Sequence, residues 1–154
     1  MIPAALSLSA AARAVIVAAA RSAWPREACG LLSGADSADG TVRVDAVHPT
    51  ANVAPADRPD RFEVDPAARF ALMRRLRGGP SRLIGHFHSH PGHPAVPSET
   101  DRRAAYEPDL LWLIVGLSGA DDPAPVLAAW AVQPGSRSGE PAEGFHPVDL
   151  RATG

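Results

Sequence analysis

The residues best placed for chemistry lie in one short stretch, His88-Ser89-His90-Pro91, continuing to Ser98 and Asp101. Histidines two apart on an extended segment project to the same side, so His88 and His90 can reach one metal ion. Asp101 follows His90 after a loop long enough to fold back and offer a carboxylate as third ligand. Two imidazoles and one carboxylate leave a fourth position of zinc open to water, the arrangement of a catalytic rather than a structural site. Hydrolysis by zinc-bound water also needs a proton acceptor and a donor for the developing oxyanion. Glu27, at the mouth of an apolar strand, is the candidate base, and Ser98, between the ligands, the candidate oxyanion donor.

Each residue also has a plainer reading. Ser98-x-x-Asp101 is a helix capping box in its own right, and the two roles can coexist. His86 lies on the same face as His88, so a His86/His88 pair competes as the ligand choice; only the later pair has the Pro91 and Asp101 spacing. His93 reads as an exposed loop residue, and His48 and His146 as surface histidines. Cys29 is the sole cysteine, which excludes an intramolecular disulfide and a thiolate-rich zinc site and suits a reducing compartment. It reads as a small buried hydrophobe rather than a nucleophile. Arg74-Arg75-x-Arg77 reads as the solvated end of a helix.

These residues must be held by surrounding elements. Ser7 or Ser9 caps a predicted helix running to about Ala23, with Leu8, Ala12, Val15, Ile16 and Ala19 on one face and Pro25 stopping it. Ala28–Ser33 and Thr41–Val47 read as a hairpin around the turn 34–40. Residues 49–61 are a loop and Phe62-Glu63-Val64 a short extended piece. Asp65-Pro66 starts a helix that ends near Arg77, before Gly78-Gly79. Arg82–His88 reads as a strand, Ser98 to about Tyr106 as a short helix, and Leu110–Leu117 as a central strand covered on both faces. Leu127–Val132 is the next strand. Residues 1–134 form one domain, and 135–154 a tail with a possible edge strand near Phe145–Val148. The class is mixed α/β.

With 154 residues, 45% hydrophobic and 21% charged, the chain suits a single globular domain. A formal net charge of −2 gives no electrostatic case for nucleic acid or an anionic membrane. Every basic side chain is arginine, with no lysine, which the alanine, proline and glycine load makes simplest to read as compositional bias. The apolar run 4–20 is interrupted by Arg13 and lacks a basic flank, so it reads neither as a span nor as a signal peptide, and a cytoplasmic location is expected.

The string His88-Ser89-His90-Pro91, then Pro97-Ser98-Glu99-Thr100-Asp101, with Glu27 upstream in Pro-Arg-Glu-Ala-Cys-Gly-Leu-Leu-Ser-Gly, resembles the JAMM (MPN-plus) zinc metalloprotease family. The resemblance runs from Glu27 to about Leu117, taking in the Asn52 loop and Phe62-Glu63-Val64-Asp65-Pro66, as in small stand-alone bacterial members. It implies a cytidine-deaminase-like curved mixed sheet flanked by helices. It implies one catalytic Zn²⁺ on His88, His90 and Asp101, with Glu27 as acid/base and Ser98 steadying the tetrahedral intermediate. The implied reaction is peptide or isopeptide hydrolysis after the flexible C-terminal tail of a ubiquitin-like protein, with E1-like and E2-like operon partners compatible with it. Release of an amino acid from a sulfur-carrier protein is the alternative, and a non-catalytic scaffold of the same fold is a reading of another class. A nucleobase deaminase is excluded because no Pro-Cys-x-x-Cys half-site exists. A RadC-like DNA-repair role would need a helical DNA-binding segment and a basic balance, and neither is present. His86 departs from the family pattern, and no long insertion follows Asp101.

Overall fold

The computed structural model describes residues 2–105, 107–133 and 144–153. Its elements are β1 (Ala5–Ser9), α1 (Ala10–Ala23), β2 (Cys29–Asp36), β3 (Thr41–Thr50), α2 (Pro66–Leu76), β4 (Arg82–Pro91), α3 (Glu99–Ala104), β5 (Leu111–Leu117), β6 (Val126–Gln133) and β7 (Gly144–Thr153). The seven strands form one mixed sheet in the order β1-β3-β2-β4-β5-β6-β7, which closes on itself as a barrel. Pairs β1/β3, β1/β7 and β4/β5 are parallel and the other four antiparallel.

The expected curved mixed sheet is present and closes on itself, and two strands do it. Leu8, expected on the face of the first helix, lies instead in β1, where Leu6 and Leu8 are buried in the main core. Ser9 does cap α1, its Oγ accepting the Ala12 N–H at 3.1 Å. The helix buries Ile16 and Ala20, while Val15, expected on the buried face, is 42% exposed. The C-terminal strand is no edge: β7 pairs with β6 on one side and β1 on the other. Of the stretch expected to be a tail, residues 135–143 lie outside the described part. The helix expected to reach Tyr106 ends at Ala104, and Tyr106 also lies outside it.

Alternation along β4 sorts its side chains between two faces. Ile84 and Phe87 enter the main core, with Leu111, Leu113, Val115 and Leu117 of the fully buried β5. A bend in the β2/β4 register between Leu32 and Ser33 separates Ile84 from the strict alternation that follows. His86, His88 and His90 consequently point to the opposite face, where Trp112, Val132 and Ala105 make a second, smaller cluster with Phe62, Trp130 and Phe145. Gly116 pairs with His90 in the parallel β4/β5 ladder. A Cβ there would stand 2.9 Å from the His93 carbonyl oxygen and 3.0 Å from the Ala95 nitrogen, so only glycine lets the loop after β4 fold down onto β5.

Candidate metal centre and its cleft

Strand register explains how remote Glu27 reaches the histidines. In the antiparallel β2/β4 ladder Leu31 pairs with His86 and Cys29 with His88. The pairing continues past β2: the Ser89 N–H donates to the Ala28 carbonyl at 3.0 Å, and the Ala28 N–H donates to Ser89 Oγ at 2.8 Å. One residue further, the same register sets Glu27 opposite His90, on the histidine face. Ser89, whose hydroxyl makes that second bond, is a positioning residue that sequence alone did not single out.

The loop after β4 turns at Gly92 (φ 75°) and is held by Trp130 Nε1 donating to the Ala95 carbonyl at 3.1 Å. It delivers Ser98, the N-cap of α3. Ser98 Oγ accepts the Asp101 N–H at 3.0 Å, and Asp101 Oδ2 accepts the Ser98 N–H at 2.9 Å. This capping box fixes the Asp101 carboxylate against both imidazoles. Oδ2 lies 3.0 Å from His90 Nε2 and 3.3 Å from His88 Nε2, and the two Nε2 atoms are 3.0 Å apart. The Ser98 hydroxyl hydrogen is left available to donate toward the cleft.

Among the described residues, His88, His90 and Asp101 form a buried group whose donor atoms could hold one metal ion. Bonds of about 2.0–2.1 Å to tetrahedral zinc place ligand atoms about 3.3 Å apart, close to the separations found. His90 Nδ1 faces the Pro94 carbonyl at 2.9 Å; a carbonyl only accepts, so Nδ1 carries the proton and Nε2 presents its lone pair. The donor set therefore fits zinc. The competing pair is set aside: His86 is absent from the group and packs against Trp112 (ring centroids 4.5 Å) and Phe62 (5.5 Å). Burial pushes its imidazole down to about 3, which keeps it neutral.

Electrostatics in the group follow from burial and pairing. Burial opposes the charged forms of both histidines of the group. For His88 burial wins and its affinity for a proton falls; for His90 the bonds to Asp101 and Pro94 outweigh burial and raise it. Burial also works against the Asp101 carboxylate, but the two imidazoles and the Ser98 amide hold it well below the usual range. Glu27 differs. It is 6% exposed, and its Oε1 is buried with no hydrogen-bond partner among the described residues. Burial first, then the nearby Asp101 and Asp60 charges, lift it from 4.5 to about 8 against the pull of His90.

That shift predicts a pH signature in the metal-free protein. Between about 4.5 and 8 the folded chain holds a proton at Glu27 that the unfolded chain has lost, so stability falls as pH rises through this window and the penalty vanishes below it. Glu27→Gln mimics the protonated form. Denaturant melts of the metal-free variant should show a gain of roughly 2–4 kcal/mol over wild type at pH 8 and near none at pH 4. Equal stability at both pH values would remove the buried-carboxyl assignment.

The groups meet at a cleft of about 680 Å³ lined by Glu27, His90 and Ser98. Its walls include Pro59 and Asp60 from one loop and His93, Pro94 and Val96 from another. The structure thus brings together all five residues singled out in the sequence. Cys29 is buried at the back, its Sγ 3.6 Å from Thr50 Oγ1, and burial raises its thiol further above the ordinary value. His48 is half-buried and bonded to Ser33 Oγ at 2.8 Å. No helix among the described residues is long and apolar enough to cross a membrane.

The family model described as prokaryotic homologs of the JAB domain matches residues 9–133. The chain belongs to this family, the JAMM type. A desampylase of Haloferax volcanii is 38% identical over 118 residues, covering 74% of this chain and 82% of the relative. A CysO-cysteine peptidase of Mycobacterium tuberculosis is 33% identical over 101 residues, 65% of each chain, so this chain spans just under two thirds of that relative. Among solved structures, a Desulfitobacterium hafniense protein superposes with a TM-score of 0.77 at 30% identity, covering 96% of this chain and 92% of the other. A Salinibacter ruber protein gives 0.67 at 31% identity, with 96% and 90% covered. These relatives support one α/β domain and a hydrolytic JAMM-type chemistry.

Proposed function

We propose that this protein is a zinc-dependent peptidase or isopeptidase that cleaves after the flexible C-terminal tail of a ubiquitin-like protein. The observation that carries this reading is Glu27, a buried carboxylate with an unpartnered oxygen, lining one cleft with His90 and Ser98 beside the His88/His90/Asp101 group. His88, His90 and Asp101 are assigned as the ligands of one zinc ion. A zinc ion held there would supply a water with a pKa of about 7 and a positive charge that would draw the Glu27 carboxyl back down.

Glu27 then takes a proton from the attacking water at Oε1 and hands it to the departing nitrogen, so the new carbon–oxygen bond replaces a carbon–nitrogen bond and the amine leaves neutral. Ser98 Oγ–H donates to the carbonyl oxygen as its charge develops. Pro25, Pro59, Pro91, Pro94 and Pro97 line the cleft and stiffen its walls by fixing φ. The similarity to a desampylase favours removal of a ubiquitin-like modifier, and that to a CysO-cysteine peptidase favours release of an amino acid from a sulfur-carrier protein.

Three substrates separate these readings: the ubiquitin-like product encoded nearest the gene, carrying a C-terminal peptide, an isopeptide-linked lysine, or a single amino acid. Mass spectrometry of each after incubation with the zinc-loaded protein should show one cleavage, immediately after the tail. Cleavage of none would reject the hydrolase reading and leave the scaffold reading in its place.

A further inference from the structure

The site contains a keystone outside its reacting groups. Asn52 follows β3, and its Nδ2 donates to the Glu27 carbonyl at 2.9 Å and the Arg61 carbonyl at 3.0 Å. Its Oδ1 accepts the Ala54 and Glu63 N–H groups, each at 3.0 Å. A side-chain amide has two donors and two acceptor lone pairs, and all are used. The partners also fix which end of the amide is which, since two are carbonyls and two are N–H groups. A bridge between Asn52 and Val64, with the Val53 N–H donating to the Glu63 carbonyl at 2.9 Å, closes the base of the loop.

This closed loop reaches the site twice more. Pro59 and Asp60 form a wall of the cleft that holds Glu27. Phe62 stacks on the His88 ring, centroids 4.2 Å apart and planes within 14°. Metal-ligating histidines are normally oriented by a hydrogen bond from the second ring nitrogen, as Pro94 does for His90. His88 Nδ1 is buried and has no such partner among the described residues. Its ring is oriented by packing instead, with Phe62 stacked on it and Trp112 at right angles to it, centroids 5.5 Å apart.

We infer that Asn52 is a positioning residue that locks loop 52–64 closed, so that one side chain sets the Glu27 segment by hydrogen bond and the His88 ring through Phe62. The role presupposes the hydrolytic site proposed above, but its test needs neither substrate nor turnover, so it fails independently of that reading. Two quantities are measured: hydrogen exchange of the Ala54 and Glu63 amides that Asn52 accepts, by NMR, and the affinity for Zn²⁺ alone, by competition with a chromophoric chelator.

In Asn52→Ala, the Ala54 and Glu63 amides lose their acceptor and should exchange at least about tenfold faster, with zinc binding about tenfold weaker. Phe62→Leu should weaken zinc about tenfold while leaving the exchange of those amides in place, and Phe62→Tyr should restore wild-type affinity because the stacked ring returns. Unchanged exchange or wild-type zinc affinity in folded Asn52→Ala would overturn the role, as would wild-type zinc affinity in Phe62→Leu or failed rescue by Phe62→Tyr. If Asn52→Ala does not fold, Asn52→Asp, which loses both donated bonds, should show the same loss of zinc affinity, and unchanged affinity there overturns the role.

Discussion

Glu27→Gln should lose hydrolysis by about 10²–10⁴-fold while binding one zinc per chain as tightly as wild type. The substitution is nearly isosteric, and Glu27 is outside the His88/His90/Asp101 group, so the atoms of that group keep their positions. What disappears is a proton acceptor at Oε1. The same change should make the metal-free fold more stable at neutral and alkaline pH, because burying an ionised carboxylate with no partner is costly. Lower activity together with higher stability separates a removed catalytic group from a damaged fold. Retained turnover, measured on a tail-fusion substrate with zinc content checked in the same sample, would mean that another group takes the proton.

Asp101→Asn should cost more than about a hundredfold in zinc affinity, since substituting mere outer-shell partners already costs 10–100-fold. Asp101 is 3% exposed and faces both Nε2 atoms, so its charge offsets that of the ion in a dry site. Asparagine retains a carbonyl oxygen for the Ser98 N–H, and the Asp101 N–H still reaches Ser98 Oγ, so the cap on α3 survives. Asp101→Ala removes half of the capping box as well, which adds about 1 kcal/mol of destabilisation to the same loss of metal. Equilibrium dialysis against buffered zinc, with melts of both metal-free variants, distinguishes the two effects. Stoichiometric zinc at wild-type affinity in both variants would discard the ligand assignment.

Much of the site is visible in the sequence because it is local. His88 and His90 alternate on one strand, and Ser98 and Asp101 sit at cap and third helical position, so spacing and capping chemistry suffice. Glu27 is a harder case. It reaches the histidines through the β2/β4 register and two bonds between Ala28 and Ser89, 61 residues apart; its place at the mouth of an apolar strand made it a candidate, and the family pattern gave that its weight. Asn52 and Phe62 act through a loop whose closure depends on contacts that no periodicity encodes. Gly116 did carry a usable signal, because a glycine inside a continuously apolar strand marks a close backbone approach. The two strands that close the barrel were obscured for opposite reasons. β1 lies in an alanine-rich run that merges with α1, and β7 pairs with β1 across almost the whole chain, between Ala5–Ser9 and Asp149–Thr153.

The most direct test is cleavage of a ubiquitin-like protein bearing a C-terminal extension in ¹⁸O-labelled water, read by intact-mass and fragment spectra. Zinc-loaded wild type should release the extension and leave one labelled oxygen on the tail's new carboxylate, and Glu27→Gln with equal zinc should leave the substrate whole. Cleavage at the same rate by Glu27→Gln, or no cleavage by the zinc-loaded wild type, would contradict a hydrolytic site built from Glu27, His88, His90 and Asp101.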